Sequence, residues 1–338
     1  MPAVDSGLVL VTGASGFLGT YVVKELLQRG YGVRAVVRDT VKGEYVQNKF
    51  PGAKYAIVKD MAEPGAYDHV IKGIDAVVHV ASPLDFDNTG GPEAVIGPAV
   101  FGVENLLKAA SDPALGGNVK RFVQISSFAA IAGLPDGHAK TLTEEQWNDA
   151  DLNKTYELGA AAPGALKYVA SKVEAERAFW KWFEEKRAFD GVTILPGMIL
   201  GTPMEYSPSG QLGLTNGWVA AFAGPSNFGI DFEFWSPVGI NDVAFATVSA
   251  LSKPDAGGER YLLAGPPLFG NDVAILAEEY FPSAPTKPNR DPAFRDAQKA
   301  RASKFDGSKA EKAFGFKYRP TEDVVRELFD LVKERQVA

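Results

Sequence analysis

The sequence predicts an α/β fold built on a doubly wound parallel sheet. Short, almost continuous apolar segments alternate with amphipathic segments over residues 8–195, and strands of that kind are covered by helices on both faces. A glycine-rich turn at residues 13–19 lies between the first apolar segment and the first amphipathic one. Sheets of this architecture bind ligands at the carboxyl ends of their strands, so we expect the functional site at that edge.

The predicted elements follow one another along the first half of the chain. We predict strands at residues 8–11, 33–37, 55–58, 76–80, 121–125 and 192–195. We predict helices at residues 17–29, 95–110 and 168–185. Gly30 ends the first helix, because glycine is favoured just beyond a helix C-terminus.

The pattern loosens after Pro196, which predicts a second domain. A strand leading into a helix at 238–251, a strand at 260–263 and a helix at 321–334 follow a stretch rich in Gly, Pro and aromatic residues. We assign residues 1–196 plus 236–258 to a dinucleotide-binding domain. Residues 197–235 plus 259–338 are assigned to a smaller, discontinuous C-terminal substrate-binding domain.

Composition excludes several classes of partner. The 338 residues carry a net charge of −7 without a long basic run, which argues against nucleic acid and anionic membranes. No cysteine is present, so disulfides and thiolate ligands are excluded. His69, His79 and His138 show no metal-ligand spacing, and we predict no metal. The longest uncharged run, 206–230, is too rich in Gly and Pro for a membrane span. No secretory signal is visible, and we expect a cytoplasmic protein.

The glycine turn has the pattern Gly-x-x-Gly-x-x-Gly between a strand and a helix. Glycines there let the backbone approach a pyrophosphate, which the helix N-terminus stabilises. An ordinary tight turn is the alternative, which the flanking elements disfavour. The predicted cofactor contacts of this turn are Gly13, Ser15, Gly16, Phe17, Leu18 and Gly19.

The residues after the second strand select the cofactor. An acidic residue there binds the ribose 2′-hydroxyl, whereas Arg accommodates a 2′-phosphate. Arg38 occupies this place and Lys42 follows, which predicts NADPH/NADP+. Asp39 lies one residue further from the strand and keeps NAD as an alternative cofactor. A second alternative is that Arg38 is an ordinary solvated surface residue with no role in cofactor binding.

Further cofactor contacts are expected where the other strands end. An acid after the third strand can accept the adenine amino group, and small residues after the fourth suit close passage of a dinucleotide. Backbone groups after the sixth strand can bind the nicotinamide amide. These contacts are Asp60, Met61, Val80, Ala81, Ser82, Pro196, Gly197, Met198 and Ile199.

A Tyr and a Lys four residues apart share one helix face, where the ammonium group favours the phenolate. The spacing occurs at Tyr45/Lys49, Tyr55/Lys59 and Tyr168/Lys172. Only the last pair opens a long predicted helix after the fifth strand, which makes Tyr168 and Lys172 the catalytic candidates.

A hydroxyl at the end of the fifth strand can orient the reacting oxygen toward Tyr168. Ser127 is our choice for this role, with Ser126 as the fallback. Over residues 191–230 the only charge is Glu205, so we expect a small, neutral, partly apolar substrate.

These segments resemble the extended short-chain dehydrogenase/reductase family, and within it the dihydroflavonol 4-reductase-like group with the fungal and yeast aldehyde/ketone reductases. Residues 11–39, 66–86, 119–127 and 168–176 carry a resemblance that covers essentially the whole chain. It implies a Rossmann fold, NADPH, a Ser127-Tyr168-Lys172 catalytic set and Arg38 with Lys42 as ligands of the 2′-phosphate. It also implies that residues 215–218 border cofactor and substrate. The loop 133–166 is long and rich in Ala and Gly, and we expect substrate specificity to differ there.

The expected activity is that of an NADPH-dependent carbonyl reductase of the alcohol dehydrogenase type. Tyr168 donates a proton, Lys172 lowers the pKa of the phenol and holds the nicotinamide ribose, and Ser127 orients the carbonyl. An NAD-dependent nucleotide-sugar epimerase or dehydratase and a non-catalytic dinucleotide-sensing regulator are the alternatives. The oligomeric state, monomer or homodimer, is left open.

Overall fold

A computed structural model of the chain describes residues 3–133, 140–185, 188–205, 211–224 and 228–337. Its strands are β1 (Leu8–Thr12), β2 (Gly32–Val37), β3 (Ala53–Ile57), β4 (Ala76–His79), β5 (Arg121–Ile125), β6 (Thr141–Leu142), β7 (Asp190–Pro196), β8 (Ile199–Leu200), β9 (Glu233–Phe234), β10 (Val238–Gly239), β11 (Arg260–Leu263), β12 (Leu268–Phe269) and β13 (Lys304–Phe305). Its α-helices are α1 (Phe17–Gln28), α2 (Thr40–Lys49), α3 (Glu93–Ser111), α4 (Asp149–Leu158), α5 (Gly164–Glu185), α6 (Leu214–Ala220), α7 (Ile240–Ser252), α8 (Gly270–Tyr280), α9 (Pro292–Arg301), α10 (Ser308–Phe314) and α11 (Thr321–Val337).

A seven-stranded sheet forms the centre of the fold, in the order β11-β7-β5-β4-β1-β2-β3. The pairings from β3 across to β7 are parallel, with Thr12 beside His79 and His79 beside Gln124. The strand order reverses between β1 and β4, and this is the point at which such sheets open a ligand crevice. The predicted Rossmann-like α/β fold is confirmed.

The strands are buried because apolar side chains cover both faces. Val9, Leu10 and Val11 are fully buried, and one apolar cluster joins the sheet to helices α3 and α5 through residues such as Leu106 and Phe179. Each such side chain contributes about 1.5–3 kcal/mol when it leaves water. This packing fixes the carboxyl ends of β1, β4 and β5.

Two predicted boundaries differ from the structure. Helix α5 begins at Gly164 rather than at Tyr168, so Tyr168 lies inside the helix. The loop expected over 133–166 contains β6 and α4, although residues 134–139 lie outside the described part. In α4 only Leu152 and Thr155 are buried, so no apolar stripe marked it.

Helix α2 was missed for a similar reason. Only Gly43 and Val46 of its ten residues are buried, which leaves too little apolar periodicity to predict a helix. The side chain of Asp39 caps it by accepting a hydrogen bond from the Lys42 N–H, 2.9 Å away. Tyr45 and Lys49 both lie on this helix.

The chain divides into two compact units. The first comprises residues 1–133, 144–195 and 244–261, and the second residues 134–143, 196–243 and 262–338. Within the second unit, three two-stranded sheets, β8 with β10, β9 with β12 and β6 with β13, accompany an apolar core that includes Phe222, Phe234 and Phe329. The assignment of cofactor and substrate to separate domains stays a prediction. No described helix is long and apolar enough to cross a bilayer.

Candidate active site

The glycine turn connects β1 to α1 with a geometry suited to a phosphate. Gly13 has φ of +64°, a conformation that favours glycine, and a Cβ on Gly19 would overlap the Gly13 backbone. Gly16 precedes α1 and offers no side chain to cap its amide groups. These N–H groups and the helix dipole form a ready anion site, so the turn fits a dinucleotide pyrophosphate.

Thr12 and His79 fix the start of the segment after β4. Thr12 Oγ1 accepts hydrogen bonds from the N–H groups of Val80 and Ala81, both at 3.1 Å. Both lone pairs of the hydroxyl are then occupied, so the hydroxyl proton goes to His79 Nδ1, 2.8 Å away. His79 is therefore neutral and protonated at Nε2. Its burial lowers the pKa of the imidazole to about 3, and the Lys172 charge adds to this effect.

The residues after β2 differ in whether their side chains are already hydrogen-bonded. Asp39 caps α2, and its other oxygen lies 3.6 Å from Lys42 Nζ. Arg38 is exposed at the end of β2. The acid that would favour NAD is thus occupied by the helix terminus, while Arg38 presents its guanidinium to solvent. Lys42 Nζ is therefore already near a carboxylate partner, Asp39.

The residues after β3 serve partly local roles. Asp60 is exposed and accepts a hydrogen bond from the Ala62 N–H at 2.8 Å. Met61 packs against the apolar cluster beneath α3, where its methyl group fills the space beside Gly102. Adenine contacts by these two residues stay predictions.

The segment after β7 belongs to the second unit, and its amide groups are largely used. The Gly197 and Met198 N–H groups donate to the carbonyl oxygens of Leu263 and Trp235, at 2.8 and 3.1 Å. These two N–H groups are therefore not free for a nicotinamide amide. A hydrogen bond to that amide would need another backbone group of residues 196–199, such as the Pro196 carbonyl group. These four contacts stay predictions.

Asn216, from the segment implied to border the site, has a structural role. It is buried, and its side chain exchanges hydrogen bonds with both backbone groups of Gly201. A further bond goes to the Leu212 carbonyl at 3.1 Å. The amide is therefore occupied within its own unit.

Ser127, Tyr168 and Lys172 lie together beyond the end of β5. Ser127 is buried, and its Oγ accepts a hydrogen bond from the Ala129 N–H at 3.2 Å. A side-chain hydrogen bond joins Ser127 to Tyr168. Lys172 Nζ lies 5.7 Å from the centroid of the Tyr168 ring, one helical turn along α5. The structure thus brings together the three residues predicted to be catalytic.

The other two Tyr-x-x-x-Lys pairs lie elsewhere. Tyr55 is on strand β3. Tyr45 and Lys49 are one turn apart on α2, with Nζ 5.5 Å from the ring centroid. This second helical pair has nearly the same local geometry as Tyr168 and Lys172, so the position after β5 distinguishes the candidate site, rather than the spacing.

Burial controls the protonation of the pair. It raises the pKa of the Tyr168 phenol, and the hydrogen bond with Ser127 opposes that rise. It also lowers the pKa of Lys172 to about 8, which the negative charge of Glu176 partly offsets. We expected Lys172 to lower the phenol pKa, but the net direction is upward, because the loss of solvation outweighs the opposing hydrogen bond with Ser127.

Glu176 is a residue that the sequence analysis missed. Its side chain is completely buried one turn beyond Lys172, and it accepts hydrogen bonds from Ser126 Oγ at 2.7 Å and Thr193 Oγ1 at 2.9 Å. Arg260 Nε neutralises it at 2.8 Å. The signal available in the sequence was a third polar residue at four-residue spacing on α5, after Tyr168 and Lys172.

A small cavity lies at the ends of β4 and β5, where residues of α3 and α5 also line it. His79, Gln124, Ser126 and Lys172 line it, together with the predicted cofactor residues Ala81 and Ser82. The Gln124 Oε1 atom is buried and has no hydrogen-bond partner within the described residues. A buried acceptor without a partner is costly, so this wall of the site is suited to a polar ligand. No three His, Asp or Glu side chains within the described ranges form a metal-ligand group.

Comparison with known proteins identifies the family. The model of the NAD dependent epimerase/dehydratase family matches residues 9–264. The chain therefore belongs to this family, the extended short-chain dehydrogenases/reductases, as its motifs predicted.

Several relatives are similar to the chain. Aldehyde reductase 2 of Sporidiobolus salmonicolor is 39% identical over 224 residues, which cover 64% of this chain and 63% of that protein. A provisional NADPH-dependent methylglyoxal reductase of Candida albicans, GRP2, is 33% identical over 93% of this chain and 95% of its own length. The crystal structure of the yeast methylglyoxal/isovaleraldehyde reductase Gre2 complexed with NADPH matches with a TM-score of 0.85 and 26% identity, over 98% of this chain and 99% of Gre2.

Proposed function

We propose that the protein is an oxidoreductase that reduces an aldehyde or ketone carbonyl to an alcohol with NADPH. The observation that carries this proposal is the convergence of Ser127, Tyr168 and Lys172, the last of which lines a cavity together with the segment after β4. The reductase names of full-length relatives give independent support.

The residues divide the work of the proposed reaction. Bound NADPH supplies the hydride. Tyr168 donates its phenolic proton to the carbonyl oxygen, and its raised pKa keeps that proton available at neutral pH. Ser127 donates a hydrogen bond to the same oxygen and polarises the carbonyl. Lys172, still mainly cationic at neutral pH, stabilises the phenolate left behind and binds the nicotinamide ribose.

Arg38 selects the cofactor in this account. Its exposed guanidinium follows β2 next to the glycine turn, where it can make a bidentate contact with a 2′-phosphate. Asp39 does not compete, because it caps α2. NADPH is therefore favoured over NADH.

The substrate is a small, neutral, partly apolar carbonyl compound. Over residues 191–230 the only Asp, Glu, Lys, Arg or His is Glu205, and burial raises the pKa of its carboxyl group. We expect the protein to act in the cytoplasm, as a monomer or homodimer.

A screen of NADPH depletion over aldehydes, β-ketoesters, diketones and flavonoid-like ketones tests the function. Oxidation of NADPH by at least one class, with formation of the alcohol, supports it. An absence of oxidation with every class would favour a non-catalytic dinucleotide sensor. Tightly held NAD in the purified protein would instead favour an epimerase or dehydratase, the chemistry named in the matching family model.

A further inference from the structure

Lys167, next to Tyr168 on α5, is a buried cation without a carboxylate partner. Its side chain is 1% exposed. Its Nζ atom donates to the carbonyl oxygens of Gly90 at 2.6 Å, Asn88 at 3.0 Å and Ala160 at 3.2 Å. An ammonium group has three N–H donors, so the backbone uses all of them. No acidic side chain pairs with Lys167 in the part of the chain that the structure describes.

Two of these carbonyl groups belong to the connection that leads from β4 to α3. Phe86 lies in this connection, and its ring centroid is 5.3 Å from that of Tyr168. The Phe86 backbone also approaches α5 so closely that a Cβ on Gly164 would overlap its carbonyl oxygen. The start of the same connection is held by Thr12 through the Val80 and Ala81 N–H groups. The connection is thus fixed at both ends, with Phe86 against Tyr168 between them.

A buried lysine is an unusual means of joining these segments. Moving an ammonium group out of water is costly, and carbonyl dipoles alone repay only part of that cost. An apolar side chain of similar volume would fill the same space on α5 without this cost. We therefore attribute to the ammonium group the role of holding the carbonyl groups of the connection in one position. Filling the space on α5 would not require a charged side chain.

We propose that Lys167 is a positioning residue, which fixes residues 84–90 against the start of α5 so that Phe86 restricts the orientation of the Tyr168 phenol. The inference rests on the proposed role of Tyr168 in proton donation. It assigns to Lys167 an effect on the catalytic step and on the order of the connection, with little effect on cofactor binding.

The test is a double-mutant cycle of Lys167→Met and Phe86→Ala, with Lys181→Met as the control. Lys181 is an exposed lysine on the same helix. We expect each of the first two substitutions to lower kcat by about tenfold or more, since a misplaced catalytic group is costly. The double variant should fall little further, because both act through one contact. The dissociation constant of NADPH should change by less than about threefold, since these residues do not touch the glycine turn.

Hydrogen exchange measured on the full-length protein gives a readout independent of activity. Amide groups of residues 84–90 should exchange at least about tenfold faster in Lys167→Met than in the wild type or in Lys181→Met. Faster exchange in Lys167→Met, with no turnover of any carbonyl by the wild-type protein, would support the positioning of residues 84–90 by Lys167 and reject the proposed function. Unchanged exchange would reject the positioning role of Lys167.

Two kinetic results would also overturn the inference. One is a Lys167→Met protein that loses thermal stability but retains the wild-type kcat. The other is fully additive losses in the double variant. If Lys167→Met does not fold, Gly164→Ala, which displaces the Phe86 carbonyl, takes its place, and wild-type kcat in that variant would count against the proposal.

Discussion

The Ser126 hydroxyl donates a 2.7 Å hydrogen bond to the buried Glu176 carboxylate. Its neighbour Ser127 instead bonds to the Tyr168 phenol. Two adjacent serines at the end of β5 therefore have different hydrogen-bond partners, the buried Glu176 carboxylate for Ser126 and the Tyr168 phenol for Ser127. The division follows from the alternation of side chains along an extended chain.

Ser127→Ala should lower kcat by about a hundredfold, because it removes one hydrogen-bond donor to the developing oxyanion. Ser126→Ala should retain most of the activity and lose stability, since Glu176 keeps Thr193 and Arg260 as donors. Steady-state kinetics and thermal unfolding of both variants check this. The reverse pattern would move the substrate contact to Ser126.

The activity should fall as pH rises through about 8, where Lys172 loses its proton. The sign follows from its role: the neutral amine no longer stabilises the Tyr168 phenolate. Glu176→Gln should move this alkaline limb to lower pH, because it removes the negative charge that favours the protonated Lys172. A pH profile of kcat with saturating substrate measures both, and a limb that stays in place in Glu176→Gln would contradict the coupling.

Stability should fall as pH is lowered from about 6.5 toward 3, because the folded protein holds His79 neutral and the unfolded chain does not. In that range the unfolded chain binds one more proton than the folded protein. The free energy of unfolding therefore falls by about 1.4 kcal/mol for each pH unit. His79→Asn keeps an acceptor for the Thr12 hydroxyl and cannot titrate. Denaturant unfolding of both proteins at several pH values should therefore show a shallower slope for the variant. Equal slopes would argue against a buried neutral His79.

Arg38→Ala should raise KM for NADPH by about tenfold or more and leave KM for NADH nearly unchanged, because only NADPH carries the 2′-phosphate. Kinetics with each cofactor at saturating carbonyl substrate measure the two effects. Lys42→Ala is the comparison, and its effect should be smaller since Lys42 pairs with Asp39. Equal losses with both cofactors would reject a 2′-phosphate contact.

The sequence was sufficient where the residues themselves impose a local structure. Gly13 has a positive φ, which favours glycine, so the glycine turn was predictable. The continuous apolar runs of β1, β4 and β5 are typical of strands buried on both faces, so the sheet was predictable too. Helix α2 could not be predicted, because only two of its residues are buried.

Long-range contacts of polar residues were also beyond the sequence. Glu176 meets Arg260 across 84 positions, and Lys167 meets Asn88 across 79. The four-residue spacing places Glu176 on the same helix face as Tyr168 and Lys172, but it does not show whether a charged side chain of α5 is buried or solvated. The upward shift of the Tyr168 pKa was missed for the same reason, since it depends on how completely its surroundings exclude water.

Tyr168→Phe is the most direct test of the central claim, because it removes only the proposed proton donor. Its NADPH affinity and its turnover of the best carbonyl substrate from the screen should be measured together. We predict that NADPH binds with near wild-type affinity while kcat falls by a factor of about a thousand, within the range attributed to general acid catalysis. Near wild-type turnover by Tyr168→Phe would contradict the account.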